Sequence, residues 1–119
     1  MERKAMSSTE LFNEIVGTYR KHGWQLRRVL LRPETNSELG PDLSSGALPL
    51  TGVAIESGPV DALWFSRSSH EEREAWELRL LAESPFALFE TFEKDETEEQ
   101  REEMRRELEA RLRLYVNKE

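Results

Sequence analysis

Between Ser66 and His70 the chain reads SRSSH, three hydroxyls, a guanidinium and an imidazole within five residues, followed by Glu71 and Glu72. Serine, histidine and a carboxylate are the groups of nucleophilic acyl transfer, in which the imidazole takes the hydroxyl proton and the carboxylate orients the imidazole. That chemistry needs side chains that converge across a fold, and immediate neighbours in the chain seldom point together. The G-x-S-x-G elbow, the phosphate-binding loop and the G-x-G-x-x-G turn are absent from the sequence. The serines therefore read as the polar connection of a hairpin. No catalytic residue is assigned, and the balance is against an enzyme.

Three further groups invite a binding role. Asp61 opens the strongest apolar run and, on a strand, shares a face with Leu63, Phe65 and Arg67; an ion pair with Arg67 is the expected state of its carboxylate. With His70, these residues outline a conceivable ligand pocket beneath the long segment 34–51. The second group is Trp24 with Arg27, Arg28 and Arg32, a basic and aromatic combination suited to single-stranded nucleic acid. Trp64 and Trp76 form the third, placed symmetrically about the SRSSH connection, where a cross-strand aromatic pair would fix the register of a hairpin. The two histidines, His22 and His70, stand in isolation and there is no cysteine, so neither a metal site nor a cofactor is expected.

Charge limits the partners. The 119 residues carry a net charge of −7, which disfavours general attraction to a phosphate backbone. Yet Ile15 to Pro33 hold Arg20, Lys21, Arg27, Arg28 and Arg32 and no acid, so one edge of an acidic body would be locally basic. No window approaches the roughly 18 continuous apolar residues of a membrane span. The lack of cysteine and of an apolar leader leads to the expectation of a cytoplasmic protein without a membrane partner.

These residues must be positioned by regular elements. Leu11, Phe12, Ile15, Val16 and Tyr19 lie on one face of a helix over Ser8 to His22. Ser7 and Glu10 supply a capping box, Met6 facing Leu11 a hydrophobic staple, and Gly23 the stop. Gly17, inside the helix, suggests close packing on something flat. Strands are expected at Trp24 to Leu31, Val53 to Glu56 and Val60 to Arg67. In EAWELRLLA the residues Trp76, Leu78, Leu80 and Ala82 alternate with Glu77 and Arg79, so a fourth strand is favoured; the competing reading is a helix capped by Ser69 and Glu72. Ser84 and Pro85 read as the N-cap and first residue of a short helix through Phe86, Leu88, Phe89 and Phe92. Thr97 and Gln100 cap a last helix reaching about Val116, with Met104, Leu108, Leu112 and Tyr115 as its stripe. The opening turns of that helix, EEQREEM, are expected to project into water or lie along a partner.

The resulting expectation is one α+β domain over residues 1–119: an N-terminal helix, an antiparallel meander of about four strands and two C-terminal helices packed on one sheet face. Residues 1–6 would be a flexible head and 34–51 a long mobile loop. The favoured function is a non-catalytic protein interaction or adaptor module that acts as a homo-oligomer. The alternatives are nucleic-acid binding through residues 20–32, or a small ligand-binding protein or enzyme with a pocket near Asp61, Arg67 and His70.

Overall fold

The computed structural model describes residues 7–45, 50 and 52–117. The first helix, α1, spans Ser8–Lys21 and opens with the expected reciprocal cap: the Ser7 hydroxyl accepts from the Glu10 N–H while the Glu10 carboxylate accepts from the Ser7 N–H. It stops at Gly23, whose φ of 85° lies in the left-handed region that glycine occupies without steric cost. Phe12, Ile15 and Val16 are buried. Gly17 faces open space, with no atom within 4 Å of where a Cβ would stand, so it marks no close approach. The Met6 staple lies outside the described residues.

Five strands follow: β1 Gln25–Leu31, β2 Ala54–Ser57, β3 Ala62–Ser68, β4 Glu74–Leu80 and β5 Ala87–Phe92. They form one mixed sheet in the order β2-β1-β3-β4-β5. Strands β1 and β2 are parallel and the other pairs antiparallel. A parallel pair needs a crossover, and the crossover here is helix α2, Pro33–Ser45. Most of the expected 34–51 loop is therefore helical. Ser, Gly and Pro disfavour a helix interior, but Pro33 suits the first helical position, and Thr35, Leu39 and Leu43 make an i, i+4 stripe. Leu39 is fully buried and Leu43 packs beside it. Burial of this stripe outweighs the weak propensity. The rest of the expected loop, 46–49 and 51, lies outside the described residues.

The second correction concerns 86–92. No helix starts at Ser84; the segment becomes β5, paired with β4 from Glu74↔Phe92 to Arg79↔Ala87. Its apolar residues fit either period. The unpaired edge of β4 decides, because β4 gains a full ladder of backbone hydrogen bonds from an extended neighbour. The third correction is the layering. Helices α1 and α2 cover one face over Leu26, Val29, Leu31, Leu63 and Phe65. Helix α3, Glu98–Asn117, covers the other face, where Leu108 and Leu112 meet Trp64, Trp76, Leu78 and Phe92. The sheet is thus sandwiched between helices and is mixed, with an antiparallel run over β1-β3-β4-β5.

In the first turns of α3, Glu98, Glu99, Gln100 and Glu103 are exposed as expected, while Arg101 and, one turn on, Arg105 turn toward the sheet. Arginine stems replace apolar side chains: Arg105 is 3% exposed, its guanidinium 4.0 Å from the Trp76 ring centre and 5.4 Å from that of Phe92. Glu98 and Glu102 hold its charge at 2.7 and 3.0 Å. Arg101 lies over Phe92 and pairs with Glu74.

Two ionisable groups tie helices to the sheet and make the stability of the fold depend on pH. Burial opposes ionisation of Glu102, but hydrogen bonds from Arg28 and Arg105 outweigh it and hold the carboxyl below its ordinary 4.5. This stabilisation is complete above about pH 4.5 and is lost as pH falls through the lower folded value. Burial, together with a hydrogen bond from its hydroxyl to Glu77, pushes the Tyr19 phenol well above its ordinary 10.0. Its contribution is complete below pH 10 and declines above it, since the folded state then holds a proton the unfolded state has lost. Melting temperature measured across pH should fall at both ends, and Tyr19→Phe should flatten only the alkaline limb.

Candidate functional site

Two features stand out: an open sheet edge and a basic cleft at one end of the sheet. The edge belongs to β5. Leu80 N–H donates to Phe86 C=O at 3.0 Å, so Phe86 turns its backbone groups toward β4. By the alternation of antiparallel strands, Leu88, Glu90 and Phe92 do the same, whereas Ala87, Phe89 and Thr91 present N–H and C=O outward. The sequence ALFETF contains no lysine, arginine or proline, the residues that commonly blunt an edge. Its one guard is Glu90, whose carboxylate accepts from the outward N–H of Thr91 at 3.0 Å. Phe89 is 57% exposed, with its ring edge-on to Trp24 at 6.4 Å. The opposite edge, β2, is four residues long and parallel to its neighbour.

The cleft has a volume of about 820 Å³ and lies where the end of α1, the start of β1 and the β3–β4 hairpin meet. Arg27 reaches it through a β-bulge. Between Leu26 and Arg28 the β1–β3 register slips by one, which leaves Arg27 as the extra residue and re-aims its side chain. Its Nε donates to the buried Ser66 hydroxyl at 2.9 Å. Arg67 donates to the His22 carbonyl at 3.0 Å and lies 4.5 Å over the Trp24 ring. His70 begins a single 3₁₀ turn, His70–Glu72, so the competing capped-helix reading of this segment does not hold. Glu71 and Glu72 in that turn adopt φ of 58° and 62°, unusual for residues with a Cβ.

The candidate residues separate accordingly. Trp24, Arg27, Arg67 and His70 gather around this end. Asp61 lies at the other end of β3, where its carboxylate accepts from the Arg32 N–H, Arg32 Nε and the Thr35 hydroxyl. Its ion-pair partner is thus Arg32, and the expected pair with Arg67 does not form. Arg28 faces α3 and pairs with Glu102 at 3.2 Å and Glu56 at 3.5 Å; these contacts raise its already high pKa against the opposing effect of burial. The basic run 20–32 is therefore distributed over different faces. Trp64 and Trp76 do pair across the hairpin, edge to face at 5.9 Å, on the diagonal of the Trp64↔Leu78 and Ser66↔Trp76 register. Their place is the core.

Against protein families, curated proteins and solved structures, the chain shows no significant match. Function must therefore be read from geometry.

Sequence reasoning missed Phe89, assigned to a helix, and the hydroxyl of Ser66 as the anchor of Arg27. The bulge that exposes Arg27 leaves a trace in the sequence, since QLRRVLL breaks strict alternation at its paired arginines. Among the described residues no group of His, Asp or Glu is arranged to hold a metal ion, and no helix is long and apolar enough to cross a membrane.

Proposed function

We propose that the chain is a non-catalytic interaction module that self-associates by pairing the β5 edges of two copies. The observation that carries this reading is the outward set Ala87, Phe89 and Thr91 on an edge without basic or proline guards. This edge is self-complementary. In an antiparallel two-fold arrangement Phe89 can oppose Phe89 of the second copy, and Ala87 then opposes Thr91. Every outward donor meets an outward acceptor, and the central pair brings two aromatic rings together on one face. Centring the axis on Glu90 would instead set like charges opposite each other, which is destabilising. Isologous contacts of this kind close into a dimer, and an interface made of one strand pair is small enough to give a weak, concentration-dependent one.

Sedimentation velocity over a concentration series tests the reading. The wild type should shift from monomer to dimer. Phe89→Pro should remain monomeric at all concentrations, because it removes the outward N–H at the centre of the pair. Its melting temperature should change little, since the β4–β5 ladder does not use that N–H. Leu88→Pro, which loses a ladder bond, should unfold instead. Glu90→Gln should tighten association by weakening the guard on Thr91. A wild type that stays monomeric at the highest concentrations reached would sink the idea.

A further inference from the structure

We infer that the cavity between α1 and strands β4 and β5 binds a free α-amino acid with an aromatic side chain, its carboxylate on Arg79 and its ammonium on Glu77. This inference goes beyond self-association and stands on different observations. The cavity has a volume of about 380 Å³, and Glu77 and Arg79 of β4 both line it. Both side chains project to the α1 face of the sheet, since they alternate with Trp76, Leu78 and Leu80, which pack in the cluster under α3. Opposite charges so placed could close on each other as an ion pair. They do not, and among the described residues no carboxylate lies within 4.0 Å of Arg79. Each group is held elsewhere. Tyr19 of α1 donates its hydroxyl to one oxygen of Glu77, and one terminal nitrogen of Arg79 donates to the carbonyls of Leu80 at 3.1 Å and Ser84 at 2.7 Å.

A positive and a negative group, each fixed and left unpaired in one cavity, suit a ligand that carries both charges. Nε and the second terminal nitrogen of Arg79 remain as a planar fork, which matches a carboxylate through two parallel hydrogen bonds. The other oxygen of Glu77 remains to accept from an ammonium. Residues i and i+2 of a strand stand about 7 Å apart, so one small molecule with its two charges on a single carbon can reach both side chains. Glu14 adds a second acid to the lining, which favours a ligand with an ammonium over a simple carboxylic acid. The rest of the wall is apolar and aromatic: Ile15, Pro85 and Ala87 with Tyr19 and Trp24. Its rings are fixed, Tyr19 stacked on Phe65 at 4.0 Å and edge-on to Trp24 at 6.1 Å. The volume lies at the small end of the roughly 300–1,000 Å³ of small-molecule sites, which suits one amino acid better than a peptide.

NMR titration of the isotope-labelled protein with L-phenylalanine, with phenethylamine, which lacks the carboxylate, and with hydrocinnamate, which lacks the amine, tests this assignment. L-Phenylalanine should bind saturably, with the largest amide shifts at Thr18, Tyr19, Glu77, Arg79 and Ala87. Each analogue should bind more weakly by about tenfold or more, the loss of one charge-assisted contact. Arg79→Gln should weaken L-phenylalanine to the level of phenethylamine and leave phenethylamine unchanged. Glu77→Gln, which can still accept from Tyr19, should weaken L-phenylalanine to the level of hydrocinnamate and leave hydrocinnamate unchanged. The analogue that a variant retains shows that the variant is folded, and the comparison of the three ligands on the wild type depends on no variant. Absence of saturable L-phenylalanine binding, shifts confined to residues away from this cavity, or an analogue that binds as tightly as L-phenylalanine overturns the assignment. Since Glu77 and Arg79 lie on β4, off the β5 edge, their variants should dimerise as the wild type does, which keeps failure here distinct from failure of the self-association reading.

Discussion

Trp64→Ala is expected to destabilise the protein by about 3–5 kcal/mol, the cost of removing a fully buried aromatic side chain and leaving its cavity. For a chain of this length that corresponds to a fall in melting temperature of roughly 12–20 °C. The large effect follows from where the ring sits. Trp64 is on the central strand β3, packs edge-on against Trp76 and donates its indole N–H to Glu109 of α3 at 2.8 Å. Its loss therefore loosens the whole α3 face. Trp64→Phe separates the terms: it keeps most of the packing and removes the indole donor, and should cost about 1–2 kcal/mol. Thermal and chemical denaturation followed by circular dichroism would measure both. If Trp64→Ala melts within a few degrees of wild type, α3 is not held by this face.

The second large effect is at Asp61. Its carboxylate receives three hydrogen bonds where β1 passes into α2: from the Arg32 N–H at 2.8 Å, from Arg32 Nε at 3.1 Å and from the Thr35 hydroxyl at 2.7 Å. A carboxylate at the start of α2 is also favoured by the helix dipole. Asp61→Ala would leave the 5% exposed Thr35 without this acceptor and release the start of the crossover. A loss of about 2–4 kcal/mol is expected, combining lost charged hydrogen bonds with the penalty for unsatisfied buried groups. Asp61→Asn keeps one acceptor oxygen and should recover about half. Amide hydrogen exchange gives the distinguishing readout: protection in α2 should fall before that of β3 and β4. Equal loss everywhere would show that Asp61 acts on global stability and does not pin the crossover.

How far the sequence reached can be followed residue by residue. The Ser7 and Glu10 box, the α1 stripe and the Gly23 stop were legible because capping and helical periodicity act within a few residues of the chain. The Thr97 and Gln100 box was legible for the same reason, and both of its hydrogen bonds form. Strands β1 and β3 were readable from their β-branched and aromatic content between turn residues, and β4 with its Trp64 and Trp76 hairpin from alternation. Of the candidate site, Arg67 and His70 could be placed together because a tight connection joins them, and Trp24 was visible as an aromatic beside arginines.

What failed was whatever depended on distant partners. Helix α2 forms against local propensity because Leu39 finds the core beside α1, and the side chains of Ser8 and Thr9 reach across to Glu38 and Asp42. Residues 86–92 become a strand because β4 offers an unpaired ladder. Arg105 enters the core because Trp76 and Phe92 supply aromatic faces and Glu98 and Glu102 supply charge. The sequence by itself determined the caps of α1 and α3, the Gly23 stop and the alternation of β4, all of them short-range effects of sterics and hydrogen bonding. Only the tertiary structure decided that helices lie on both faces of a mixed sheet, that Asp61 turns to Arg32, and that Arg27 and Arg67 meet no carboxylate among the described residues. Those outcomes depend on which groups are brought within a few ångströms across long stretches of chain, and burial and charge pairing are settled only at that distance.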